Sequence, residues 1–179
     1  KRRLVPRTGK RMSGSGRTVA GSSIYTGTAL QLVDDKNRVS IPAKFRDAVI
    51  DNTPPERFKK GPFVLMGQHP EAKCLIAYDQ GYVDAKLAKA AAGDNDPAFN
   101  VLRVIAGGAE EVGFDSTGRA VIINWMKEEA GIAKHAFFYG SLTHFEIWDP
   151  HTLLAATDDQ AAPVLKRICR NLMQEKNIL

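Results

Sequence analysis

Asp115-Ser116-Thr117-Gly118-Arg119, continuing into Ala120-Val121-Ile122-Ile123, decides how the rest of the chain is read, because nearly the same phrase stands 81 positions earlier. The earlier copy is Asp34-Asp35-Lys36-Asn37-Arg38, followed by Val39-Ser40-Ile41-Pro42. In both copies an acid opens a tight turn, an arginine closes it four residues on, and an apolar strand follows. The fourth position holds Asn37 in one copy and Gly118 in the other, residue types that tolerate positive φ. A narrow left-handed turn forces that choice. Two such turns imply a duplicated unit with two equivalent loops, each presenting an arginine.

Working outward, Tyr25 to Val33 and Val39 to Ile41 alternate apolar and small polar residues, as the arms of a half-buried hairpin do. Pro42 stops the second arm and suits the first turn of a helix, in which Phe45, Ala48 and Val49 share one face. Phe63 to Met66 and Cys74 to Tyr78 read as a second strand pair. Helical patterns then cover Val83 to Ala92 and Ala98 to Ile105, separated by Asp94-Asn95-Asp96-Pro97. After the second turn the order repeats with shorter connections: strand Ala120 to Ile123, then helix Trp125 to Ala130, with Asn124 as its cap and Gly131 as its stop. Ala136 to Gly140 and His144 to Asp149 form its strand pair. Gly67 and Gly140 mark equivalent turn entries, and Asp79 and Asp149 equivalent strand exits.

The tail from Pro163 to Lys176 sets Val164, Leu165, Ile168, Leu172 and Met173 on one stripe, so this helix covers either its own chain or a neighbouring subunit. The reading divides the chain into residues 1–23, a disordered basic arm or a vector-derived segment; 24–106, the first half; 107–158, the second half; and 159–179, the amphipathic helix.

Composition narrows the function. A hydrophobic fraction of 44% and a charged fraction of 25% are those of an ordinary globular protein. No apolar run is long enough to span a membrane. Cys74 and Cys169 lack a pairing pattern, and free thiols fit a reducing cytoplasm. The net charge of +5 is concentrated at the start. The first 17 residues hold seven of the 25 basic side chains and no acid, which leaves 18 bases against 20 acids in the rest. A polyanion partner would have to be held by local clusters and repeated copies rather than by a basic body.

Those clusters lie at the turns. Lys36, Arg38, Lys44 and Arg46 outweigh Asp34 and Asp35 around the first, and Arg119 and Lys127 outweigh Asp115 around the second. An arginine presents a planar fork of donors that matches phosphate oxygens or the O6/N7 edge of guanine, and a hairpin tip fits the major groove. Asp34 and Asp115 are acceptors only, so they orient the turn or its arginine rather than touch a polyanion. The same Asp and Arg could instead simply pair across the turn. Catalysis has little support: no Cys-x-x-Cys pair, His-Glu-x-x-His helix or Gly-rich phosphate loop exists, and Cys74 sits mid-strand. No cofactor or metal is expected.

The two turns, the Val39-Ser40-Ile41-Pro42 continuation and Phe145-Glu146-Ile147-Trp148-Asp149 together resemble the MraZ family of bacterial transcriptional regulators, over about Tyr25 to Thr157. The resemblance implies a β-rich α+β fold, two tandem AbrB-like swapped-hairpin halves interlocked into a pseudo-twofold, double-ψ-like β-barrel flanked by short helices. It implies a cytoplasmic, nucleoid-associated protein that assembles into rings. Such rings bind direct repeats in double-stranded DNA upstream of the division and cell-wall gene cluster. Arg38 and Arg119, with Lys36, Lys44 and Arg46, would face the DNA, and Asp34, Asn37, Asp115 and Gly118 would orient the motifs. Asn124 departs from the pattern, standing where a proline is expected near the helix start. The alternative within the same fold is a non-catalytic protein-interaction or antitoxin-like module.

Overall fold

The computed structural model describes residues 23–93 and 97–179. The basic arm up to residue 22 and the break at Asp94 to Asp96 lie outside the described residues. Ser23, assigned to the arm by sequence, is tied to the fold: its backbone N–H donates to Asn52 Oδ1 at 2.8 Å and its hydroxyl to Asp51 at 2.9 Å.

The first part of the chain runs β1 (Thr28–Leu32), β2 (Arg38–Ser40), α1 (Ala43–Asn52), β3 (Phe63–Gln68), β4 (Leu75–Tyr78), α2 (Gln80–Ala91) and α3 (Pro97–Ala106). The second runs β5 (Glu110–Gly113), β6 (Arg119–Val121), α4 (Asn124–Glu129), β7 (His135–Gly140), β8 (Phe145–Trp148), α5 (Pro150–Ala155) and α6 (Pro163–Glu175). Six strands form an antiparallel sheet in the order β1-β7-β8-β4-β3-β5, and β2 pairs with β6 as a separate two-stranded ribbon.

Those pairings cross between the two parts. β1 lies against β7 with Leu30 opposite Phe137, and β5 lies against β3 with Val112 opposite Val64. β4 pairs with β8, and β2 with β6, so each sequence-equivalent pair is joined to its own counterpart. The expected closed barrel is not what the strands form. β1 and β5 remain as two edges of an open sheet, and among the described residues the Phe114–Ala120 bridge is the one ladder contact from β5's end to the ribbon. Instead of closing, the sheet is covered on its inner face by the ribbon with α1 and α4.

The main core fills that space. Phe45 of α1 sits in an aromatic group with Tyr25, Phe138 and Phe145, its ring centroid 5.0 Å from Phe145 and 5.9 Å edge-on to Tyr25. Val39, Ile41, Ala120, Ile122 and Met126 complete it from the ribbon and α4. On the outer face, α5 and α6 cover one end of the sheet, where Leu30, Phe137 and Trp148 pack on Leu153, Cys169 and Met173. Helix α6 therefore packs on its own chain, through a stripe that includes Cys169 and leaves Val164 exposed. Helices α2 and α3 cover the other end over Ile76 and Tyr78.

Two buried aspartates start equivalent helices. Asp79 accepts from the Tyr82 N–H at 2.6 Å and caps α2, while also taking the Tyr25 hydroxyl at 2.7 Å and Asn52 Nδ2 at 2.9 Å. Asp149 accepts from the N–H groups of His151 and Thr152 and caps α5. Burial, with Asp79 beside it, pushes the Tyr25 phenol far above its ordinary value, so it stays a donor. Among the described residues, no helix is long and apolar enough to cross a membrane.

Candidate nucleic-acid interface

The two turns are built from the same hydrogen bonds. In the first, Asp34 Oδ1 accepts from the N–H of Lys36 and of Arg38, each at 2.9 Å, and Asp34 Oδ2 accepts from Arg38 Nε at 2.6 Å. In the second, Asp115 Oδ1 accepts from the N–H of Thr117 at 2.9 Å and of Arg119 at 3.0 Å, and Oδ2 accepts from Arg119 Nε at 2.9 Å. Each aspartate N–H donates to its arginine carbonyl at 3.0 Å, and the fourth residue donates back to the aspartate carbonyl. That fourth residue is left-handed in both, at φ 58° for Asn37 and 84° for Gly118. An Asp side chain that bonds the N–H groups two and four residues on is a compact way to satisfy a tight turn's donors.

The turns are then locked to one another. The Asn37 carbonyl accepts from Ile122 N–H at 2.9 Å, and the Gly118 carbonyl accepts from Ile41 N–H at 2.8 Å. Between them runs the ribbon, with Arg38 opposite Val121, Val39 opposite Ala120, and Ser40 opposite Arg119. Side chains alternate across a strand. Val39 and Ala120 accordingly enter the core at 1% exposure each, and Arg38, Ser40, Arg119 and Val121 share the outer face. The Arg38 side chain is 42% exposed and that of Arg119 is 53%. Both arginines thus stand on one face of a ribbon roughly 10 Å long, with a turn at each end.

Because these Asp–Arg pairs lie in solvent, they add little to stability and chiefly fix the direction of the guanidinium. Arg38 meets Asp34 through Nε at 2.6 Å. Arg119 also brings Nη2 to 2.9 Å from Asp115. Hydrogen bonds from the Arg38 N–H hold the Asp34 carboxyl below its ordinary value, and the Thr117 hydroxyl, then the Arg119 N–H, do the same for Asp115.

A basic residue on each helix reaches across to the other part's turn. Arg46 of α1 lies over Gly118, so closely that a Cβ there would meet its Cδ and Nε at 2.5 Å, and its Nη1 donates to the Ser116 carbonyl at 3.4 Å. Lys127 of α4, at the matching position, donates to Asn37 Oδ1 at 2.8 Å. Arg46, expected from the sequence to face DNA, rests against the second turn, its Nε buried and without a hydrogen-bond partner among the described residues. Lys127, counted by sequence only in the local charge of the second turn, joins the site through its contact with the first turn. Lys36 is exposed at the tip of the first turn, and Lys44 is exposed on the first turn of α1, where Trp125 is its counterpart.

Asn124 needs correcting on two counts. It is the first residue of α4, not its cap: the cap is Ile123, at φ −61° and ψ 136°, and it makes no side-chain cap bond. Pro42 caps α1 with nearly the same backbone, φ −53° and ψ 139°, so Ile123 rather than Asn124 occupies the proline position. The Asn124 side chain instead links Glu128 to Asn37.

Over 130 residues the chain is 30% identical to the transcriptional regulator MraZ of Bordetella pertussis, covering 73% of this chain and 85% of that protein. To MraZ of Corynebacterium urealyticum it is 32% identical over 126 residues, covering 70% and 81%. To MraZ of Burkholderia vietnamiensis it is 30% identical over 139 residues, covering 78% and 90%. The chain belongs to the MraZ family of transcriptional regulators. No protein-family model matches it.

Within this MraZ-family chain both cysteines are buried. Burial pushes the Cys74 thiol far up and the Cys169 thiol up to about 12, which leaves both as inert thiols. Among the described residues, no group of three or more His, Cys, Asp or Glu side chains is arranged to hold a metal ion.

Proposed function

We propose that this chain regulates transcription, without catalysis, by binding double-stranded DNA through the outer face of the β2–β6 ribbon and the two turns that flank it. The observation that carries the reading is the common face of Arg38 and Arg119, each steered by its own aspartate. A two-stranded ribbon fits the major groove, and arginine forks serve phosphates and guanine edges alike. Family membership supports the regulatory role. Lys36 and the first turn contribute more to phosphate attraction than the second turn, because the local surplus of positive charge is larger there.

The finer elements belong to the same proposal. The crossed strand pairing supports reading the two parts as interlocked swapped-hairpin halves, 24–106 and 107–158. One ribbon holds few cations, so a single subunit binds weakly. A ring whose ribbons meet successive direct repeats would gain its affinity from multivalency. Contacts with about six phosphates would then give a log–log salt slope near −5. The repeats would lie upstream of the division and cell-wall gene cluster, which makes the protein cytoplasmic and nucleoid-associated.

A mobility-shift assay with the DNA upstream of its own gene, against scrambled DNA of equal length, tests this. Selective retardation that Arg38→Ala abolishes is expected. Equal retardation of both DNAs, or none, with a co-purifying protein instead, would favour a protein-interaction module.

A further inference from the structure

The ribbon is twofold in its backbone but not in its chemistry. Matched along the two turns, Arg38 corresponds to Arg119, Val39 to Ala120, and Ser40 to Val121. The outer face therefore carries two arginines of one kind, and one hydroxyl where the partner strand has an isopropyl group. Ser40 stands opposite Arg119, and Val121 opposite Arg38. Val121 is 53% exposed on this face while its strand neighbours Ala120 and Ile122 are in the core. Val121 is thus an apolar side chain left largely in solvent among the described residues.

Building on the DNA-binding reading, we infer that Ser40 and Val121 are specificity-determining residues, and that their difference fixes the direction in which each ribbon lies along a duplex. A face with full twofold symmetry reads a palindrome and cannot tell one direction from the other. Here each end carries an aspartate-steered arginine, so residue type at those two positions sets no direction. The residues paired with them, Val121 beside Arg38 and Ser40 beside Arg119, do. In the major groove only thymine carries a methyl group, which an apolar side chain contacts favourably. A serine hydroxyl hydrogen-bonds to base edges and gains nothing from the methyl. The Val121 end favours a thymine and the Ser40 end a polar edge, and the bound sequence is non-palindromic.

Selection from a random duplex library by the full chain tests the inference. Wild type is expected to enrich an asymmetric motif with a thymine at one of two mirror-related central positions. Ser40→Val makes the face Val/Val and is expected to enrich thymine at both positions. Val121→Ser makes it Ser/Ser and is expected to enrich thymine at neither. A second measurement needs no variant: replacing that thymine by deoxyuridine removes only the methyl, and wild-type affinity should fall about fivefold, the low end of a single mismatch. A symmetric wild-type motif, central positions that neither substitution changes, or indifference to deoxyuridine overturns the inference while leaving DNA binding intact. Failure of wild type to enrich any motif overturns the DNA-binding reading itself, and this inference with it.

Discussion

Gly118→Ala isolates what holds the second turn in place. The residue sits at φ 84°, where an L side chain brings Cβ against the following carbonyl and costs about 1–2 kcal/mol. The new methyl would also stand 2.5 Å from Arg46 Cδ. Arg46 ends in a flexible chain, so it swings aside, giving up the weak 3.4 Å bond to Ser116 and little else. The backbone term dominates, and the total is about 1–2 kcal/mol. For a domain of this size that lowers Tm by roughly 3–6 °C. Thermal and urea unfolding of wild type, Gly118→Ala, Arg46→Ala and the double variant form a cycle that separates the two causes. If backbone strain dominates, Arg46→Ala leaves most of the loss in place; if the clash dominates, it restores stability. An unchanged Tm for Gly118→Ala, or full rescue in the double variant, refutes the reasoning. At the equivalent position, Asn37→Gly should lose the part-exposed contacts with Lys127 and Asn124 and stay close to wild type.

Phe45→Ala empties the centre of the aromatic group joining α1 to the sheet and is expected to destabilise by about 3–5 kcal/mol, measured by urea unfolding; a loss below 1 kcal/mol would show that α1 is not held there. Asp79→Ala removes the α2 cap and strands the buried Tyr25 hydroxyl, for a loss of about 2–4 kcal/mol, which Tyr25→Phe in the same background should partly relieve. Asp34 and Asp115 have lowered folded-state values, so their support of the turns is complete above the ordinary carboxylate value of 3.8 and is lost as pH falls below it. Amide NMR shifts of Lys36, Arg38, Thr117 and Arg119 should therefore move only below pH 3.8, and a midpoint above that value contradicts the bonding described.

Local chemistry wrote the turns into the sequence. Asn37 and Gly118 declare their left-handed backbone, and the Asp-to-Arg spacing of four is what lets one carboxylate collect two N–H groups and a guanidinium. The helix face of Phe45, Ala48 and Val49 and the strand pairs were equally legible from periodicity. What lay hidden was long-range. Nothing near Thr28 shows that it faces Tyr139, and the open sheet edge depends on such pairings. The reach of Arg46 to Ser116, 70 residues away, and of Lys127 to Asn37, 90 residues away, leaves no local mark in the sequence. Asn124 misled because a good capping residue stood one place beyond Ile123, whose backbone alone makes the cap.

The most direct measurement is the salt dependence of duplex affinity for wild type, Arg38→Ala, Arg119→Ala and the double variant, all verified as folded. Each single substitution is expected to weaken binding to the upstream DNA and to lower the log–log salt slope by about one per ribbon engaged, with the double variant reduced to non-specific affinity. A folded double variant that binds the upstream DNA as tightly as wild type, with the same slope, would contradict the account.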